Sequence, residues 1–264
     1  MHVIRFALLR RLRMAQDSSG LALIEFALIL PLVLLLGFVG LETANYVVAY
    51  MRVSQIAMTV ADNAGRVRQG IDEADVNELM IGARLMGSSI NFAQNGRIIL
   101  SDLEMRTSLG TAGATTLTPF PADNPKGYRQ WIRWQRCSGA LVKASSYGGP
   151  LDKNGAAVTN LDSATKDDGA IEDKSALVGM GPAGSQITAS SGTAVMFVEV
   201  YYQYQPMVPA GLLAATGLIN NLTMHTTEAF NIRQRTDFSI YNSGGLTSTK
   251  RSDCLLNSAT VPTG

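Results

Sequence analysis

Histidine is almost missing from this chain of 264 residues: it has His2 and His225 and no other. Cysteine is as scarce, with only Cys137 and Cys254. A structural zinc site normally takes four nitrogen or sulfur ligands, so two distant thiols without a histidine cluster do not build one. His225 stands among threonines, Thr223 to Thr227, with no nucleophile motif or metal spacing beside it. A Ser–His–acid site is recognised by geometry that spacing alone does not supply. The residues therefore read as a structural histidine, with no catalytic activity and no cofactor expected. Charge is also sparse and balanced, at 22 basic and 21 acidic residues. A chain this close to neutral has no basic excess to attract nucleic acid or an anionic membrane surface.

Three local patterns formally suggest binding chemistry, and each fails on context. Gly179-Met-Gly181-Pro-Ala-Gly184 has the glycine spacing of a dinucleotide loop. It lacks the strand before and helix after that would aim amides at a pyrophosphate, and Pro182 removes one amide. Asp162, Asp167, Asp168, Glu172 and Asp173 cluster locally. Counting back from Gly169 puts Lys166 and Ala164 where a calcium loop needs oxygen ligands, so a solvated acidic loop is the reading. Arg129, Arg133 and Arg136 interleave with Trp131 and Trp134, as stacking platforms for single strands do. In a regular strand Trp134 would point away from Trp131 and Arg133, so core and rim packing is expected there and nucleic acid is not.

The chain does contain an unusual apolar run. From Leu21 to Leu41 the only ionisable residue is Glu25. About 21 residues at roughly 1.5 Å each span about 31 Å, one hydrocarbon thickness. Only a helix satisfies its own backbone in that medium. Arg5, Arg10, Arg11 and Arg13 precede the run, with Asp17 the one acid among them. That excess predicts a cytoplasmic N-terminus and an exported remainder. A secretory signal peptide has a shorter core, about 7–15 residues, followed by a small-residue cleavage site. The nearest weak candidate here, Val47-Val48-Ala49, lies well inside the next helical stretch. Pro31 removes one helical hydrogen bond and is expected to kink the span. Gly37 and Gly40 are three apart, which is not the four-residue dimer spacing. A carboxylate inside such a span is expensive and marks function.

Gly20-Leu-Ala-Leu-Ile-Glu25-Phe26-Ala-Leu-Ile-Leu-Pro31 resembles the N-terminus of the TadE-type pseudopilins of tight-adherence (Tad/Flp) pili. Trp134–Cys137, Gly179–Gly184, Ala194–Val200 with Tyr202, and Arg233–Asn242 look like segments of that family's periplasmic domain, though they are less specific. The resemblance implies that a prepilin leader peptidase cuts between Gly20 and Leu21, and that Glu25, with Phe26 beside it, serves assembly. The new α-amine of Leu21 would lie four residues before Glu25, on the same helix face. The carboxylate could then neutralise its own terminus or that of a neighbouring subunit. Implied partners are the peptidase, other Tad pilins and pseudopilins, the inner-membrane assembly platform and the lipid bilayer. The implied role is a minor pseudopilin in the bacterial inner membrane, acting in assembly only or also entering an extracellular fibre. The alternative is an uncleaved single-pass anchor whose periplasmic domain binds an envelope or secretion component. Removing residues 1–20 takes away four of the 22 basic residues and one of the 21 acids, leaving a mature net charge of −2.

The resemblance implies an α+β, pilin-like fold: a long N-terminal membrane helix packed on the antiparallel sheet of a periplasmic domain. Residues 1–20 read as a cytoplasmic leader, 21–41 as the span, 42–68 as its continuation and 69–264 as the periplasmic domain. Tyr46, Ala49, Tyr50, Val53, Ile56, Ala57, Val60, Ala61, Ala64 and Val67 recur at helical spacing, giving the continuation one apolar stripe. Asp72 is a good N-cap for a helix over about 73–86, with Asp75 in a loose capping box. Strands are expected at Arg97–Arg106, Gln130–Cys137, Ala194–Gln205, Leu222–Ile232 and Asp237–Asn242, forming a sheet of four or five. Residues 206–221, around Pro209 and Leu212–Leu213, read as a short helix or an apolar loop. Residues 145–192, rich in Gly, Ser, Ala and Asp, read as a flexible loop. In an oxidising compartment Cys137 and Cys254 read as one disulfide, with two free buried thiols as the other reading.

Overall fold

The computed structural model describes residues 19–106, 129–152, 156–158, 168–169, 178–190, 192–208 and 222–262. The four leader arginines, Pro209, Leu212–Leu213 and the acids Asp162, Asp167, Glu172 and Asp173 lie outside them. The chain divides into two compact units, Met1–Val47 with Pro206–Ile219, and Val48–Gln205 with Asn220–Gly264.

In the first unit, helix α1 (Ser19–Arg66) supplies residues up to Val47 and runs through Pro31 as one helix. Among the described residues it is the one helix long and apolar enough to cross a membrane. From Gly20 to Phe38 every residue is exposed.

The second unit begins where α1 becomes amphipathic. Ala49, Val53, Ile56, Ala57, Val60, Ala61 and Ala64 are buried, on the 3.6-residue period of the sequence stripe. Burying Val53, Ile56 and Val60 contributes about 1.5–3 kcal/mol each. The small residues among them let the helix approach the sheet closely. A Cβ on Gly65 would already touch Phe230 Cβ at 3.5 Å and the Asn231 carbonyl at 3.4 Å. After Gly70, which has no room for a side chain against the Tyr241 ring, come strand β1 (Ile71–Asp72) and helix α2 (Glu73–Met86). Asp72 caps α2 through the Ala74 amide at 3.0 Å, and Asp75 returns a bond to the Asp72 amide at 3.0 Å, closing the capping box. The one-turn helix α3 (Phe92–Asn95) then leads into the sheet.

Strands β2 (Gly96–Arg106), β3 (Arg129–Ser138), β4 (Ala194–Gln203) and β5 (Thr223–Asn231) form an antiparallel sheet in the order β3-β2-β4-β5. The architecture is α+β, with the helix packed on the sheet. Every residue of β4 from Ala194 to Tyr202 is buried, so both faces of the sheet are covered. One face carries Ile98, Leu100, Met196, Val198 and Phe230. The other buries Leu103, Ile132, Val195 and Phe197 under Met180, Ala189 and Tyr147. These last three come from the glycine- and serine-rich 145–192 segment and are among its few large or apolar side chains.

Two expectations need correction. Asp237–Asn242 does not join the sheet. Its core, β6 (Ile240–Tyr241), pairs in parallel with β1 as a separate two-residue ladder. Trp131 and Trp134 do not point to opposite sides either. The pairing slips between Asp102 and Leu103, leaving Arg133 as the extra residue of a β-bulge. Trp134 then opposes Asp102 and Trp131 opposes Glu104, which puts both indoles on the same face.

Candidate functional site

The sequence-derived site lies at the start of α1, on faces that no other described residue covers. Leu21, Leu23, Ile24, Phe26 and Leu28 are all more than half exposed, Leu28 to 75%. Glu25 is exposed among them, one helical turn after Leu21. An apolar surface this continuous is long enough to cross a membrane. The glycines point the same way. A Cβ on Gly20, Gly37 or Gly40 would meet nothing within 4 Å. A glycine inside a helix costs about 1 kcal/mol relative to alanine, and no contact among the described residues calls for one at those positions.

The head holds the other charged groups. Arg136 is buried and donates to both oxygens of Glu73 at the start of α2, through Nε at 2.8 Å and through NH2, while NH1 reaches Asp168. Arg251 approaches the same Glu73 at 3.5 Å. Burial alone would lower the Arg136 pKa, but Asp168 and Glu73 outweigh it and raise it. Asp168, read from sequence as a solvated loop acid, is instead a buried ion-pair partner. No local pattern announces this, because its partner Arg136 lies on β3, 32 residues earlier in the chain.

His225 sits within a second cluster. Its ring stacks on Tyr201 with centroids 4.2 Å apart, and Nε2 is 3.6 Å from the buried Glu199 carboxylate. That carboxylate accepts from Ser145 Oγ, from the Ser146 amide at 2.9 Å and from the Tyr201 hydroxyl at 2.9 Å. Burial raises the Tyr201 pKa to about 12, with the Glu199 charge adding to it. A nucleophilic serine needs a base within hydrogen-bond reach. Here Ser145 donates to the acid, and among the described residues no serine is paired with His225. The cluster ties the 145–147 turn to β4. Gly179–Gly184 is a tight hairpin turn, closed by paired Met180–Ile187 amides at 3.0 and 2.8 Å, with Gly181 and Gly184 at positive φ. No helix follows that would build a phosphate site.

The exposed helix, rather than either head cluster, coincides with a recognisable family. Residues 20–62 match the family model TadE, described as TadE-like protein. The match is consistent with a TadE-type chain, although it covers 43 of the 264 residues. It supports a pilin-like role related to the Tad pilus, in a family that is structural rather than enzymatic. The TadE-like stretch begins at Gly20 and contains Glu25, Phe26 and Pro31. Searches of curated proteins and of solved structures found no match for the chain.

Proposed function

We propose that this chain is a minor pseudopilin of Tad/Flp pilus assembly, held in the inner membrane by residues 21–41 with its head in the periplasm. A prepilin peptidase removes residues 1–20, cutting between Gly20 and Leu21. Glu25 then receives the α-amine of Leu21, its own or that of an adjacent subunit, and so sets the register in which the apolar helices pack. The assembly partners are other Tad pilins and pseudopilins and the inner-membrane platform. The observation that carries this reading is Glu25, the one carboxylate within the exposed apolar run 21–41 of a TadE-like helix. An unpartnered charge in lipid is costly. Breaking a buried pair by removing one member typically costs about 3–5 kcal/mol.

Intact mass and N-terminal sequencing of protein from peptidase-competent membranes are expected to show a chain starting at Leu21. Glu25→Ala is expected to insert and be cleaved normally but to abolish piliation, scored by electron microscopy. Recovery of the full leader in those cells would replace this reading with an uncleaved anchor. Normal pili in the Glu25→Ala strain would remove the carboxylate from assembly while leaving the anchor intact.

A further inference from the structure

In the second unit, α1 carries an apolar ridge besides the stripe that faces the sheet. Val48, Met51 and Met58 are each at least half exposed, and Gln55 between them is exposed too. Steps of three, four and three residues keep these four on one helix face. At about 100° per residue, that face lies opposite the buried Val53, Ile56 and Val60. Between Glu42 and Asp62 the one charged residue is Arg52. It is exposed, donates to Gln55 of the ridge at 3.4 Å, and makes no ion pair among the described residues.

A groove of about 580 Å³ lies between α1 and α2 of the same unit. Val60, Leu79, Ala83 and Met86 give it an apolar lining, and its only charged lining residues are the acids Asp75 and Glu78. Asp75 is engaged in the capping box, whereas Glu78 is exposed and makes no ion pair among the described residues. Gly82, one turn after Glu78, leaves the α2 wall bare: a Cβ there would meet nothing within 4 Å. A second helix backbone can therefore approach closely.

We propose that the ridge of one copy of this chain seats in the α1–α2 groove of a second copy, with Arg52 of the first against Glu78 of the second. The inference rests on the pilus-subunit reading, which brings copies together. The occupant is a second copy because the chain carries both halves of the contact. Its ridge is apolar with a single cation, and its groove is apolar with a single unpaired acid. Ridges seated in grooves are the ordinary way helices pack. The apolar side chains supply the buried area, while the charge pair sets register and choice of partner. Ridge and groove are different surfaces, so the contact is heterologous, and a heterologous contact that does not close into a ring repeats as a filament.

The test places two differently tagged full-length copies in piliated, peptidase-competent cells, one with Met51→Cys and the other with Gly82→Cys, and treats the cells with a short bismaleimide. A covalent pair bearing both tags is expected, and a chain with both substitutions is expected to give a ladder beyond the dimer. Arg52→Glu in the Met51→Cys copy should lower the yield about fivefold, and Glu78→Arg in the other copy should restore it. An intact Cys137–Cys254 disulfide in each variant reports a folded head. Mature chains starting at Leu21 that give no such pair overturn this contact and leave the pseudopilin reading standing. A pair formed between two Met51→Cys copies instead, or with a different pilin only, overturns the groove as the seat. A yield indifferent to Arg52→Glu overturns the charge pairing. Recovery of leader-bearing chains alone removes the pilus reading and this contact with it.

Discussion

Asp102 is the most electrostatically exposed commitment in the head, despite being sealed from water. It is fully buried, and neither carboxylate oxygen has a hydrogen-bond donor among the described residues. Trp134, opposite it in the ladder, donates its indole N–H to the Phe238 carbonyl at 2.9 Å. Burial pushes the Asp102 carboxyl well above the ordinary carboxylate range, and Glu104 adds to this. Arg235 and Arg133 pull it down without reversing the direction. Arg235 is itself buried, and burial lowers its pKa. An acid whose folded pKa is raised binds its proton more tightly in the fold. Its stabilising contribution is therefore full below the unfolded value, near 4, and is lost as pH rises through the folded value. Within that window the loss is about 1.4 kcal/mol per pH unit. Asp102→Asn should remove the slope, so the stability difference between the two proteins, followed by denaturant unfolding in detergent across pH, should move in the variant's favour as pH rises. A difference that stays flat above pH 4 would show Asp102 ionised in the fold. None of this was legible from sequence, where Asp102 and Glu104 fall simply within the expected strand Arg97–Arg106. Their burial depends on which face the helices cover.

Elements with a local physical cause were the ones the sequence revealed. Helix α2 begins and ends where its cap residue and periodicity placed it, because the capping box is encoded within four consecutive residues. The four sheet strands fall within two residues of their alternation patterns for the same reason. The bulge at Arg133 and the parallel β1–β6 ladder were not visible. One extra residue in a strand leaves no compositional trace, and a two-residue pairing is decided by residues 169 positions apart. The Asp72 cap combines both kinds of information. Burial pushes its carboxyl up, but the amides of Ala74 and Ser243 outweigh that and hold it below its ordinary value. A depressed carboxyl contributes above the unfolded pKa and loses that contribution as pH falls through the folded one. Asp72→Ala should destabilise the head by about 1 kcal/mol at neutral pH, measured by urea unfolding, with the gap to wild type narrowing below about pH 4. A gap that is unchanged in acid would assign the loss to packing rather than to the charge on the cap.

At the scale of the head as a whole, the C-terminal segment decides how the sheet is closed. Cys254 is bonded to Cys137 on β3 across 117 residues of chain, with Cα atoms 4.6 Å apart. The spacing of two cysteines suggested the link, but not what surrounds it. Arg97, buried on β2, donates to the carbonyls of Gly139 at 3.0 Å, Leu256 at 2.6 Å and Cys254 at 2.6 Å. The Cys137 amide donates to Ser252 at 2.7 Å, and Asn77 of α2 reaches the Lys250 carbonyl at 2.9 Å and accepts from Ser252 at 2.7 Å. Burial lowers the Arg97 pKa to about 10, with Asp253 opposing the shift, so the guanidinium stays charged at neutral pH. The tail is therefore gripped by three elements independently of the sulfurs. A crosslink acts mainly on the unfolded chain, by restricting a loop of this length, and removing one typically costs about 2–5 kcal/mol. The double variant Cys137→Ala, Cys254→Ala should fold with the tail still seated, lose stability in that range by denaturant unfolding, and keep native-like protection of the Ser252 and Leu256 region in hydrogen exchange. Arg97→Met, with the disulfide intact, should instead leave the Gly139, Cys254 and Leu256 carbonyls without this donor and expose the same region to exchange. If the double cysteine variant loses protection there while Arg97→Met keeps it, the sulfurs rather than the guanidinium hold the tail, and the hydrogen-bonded clamp is secondary.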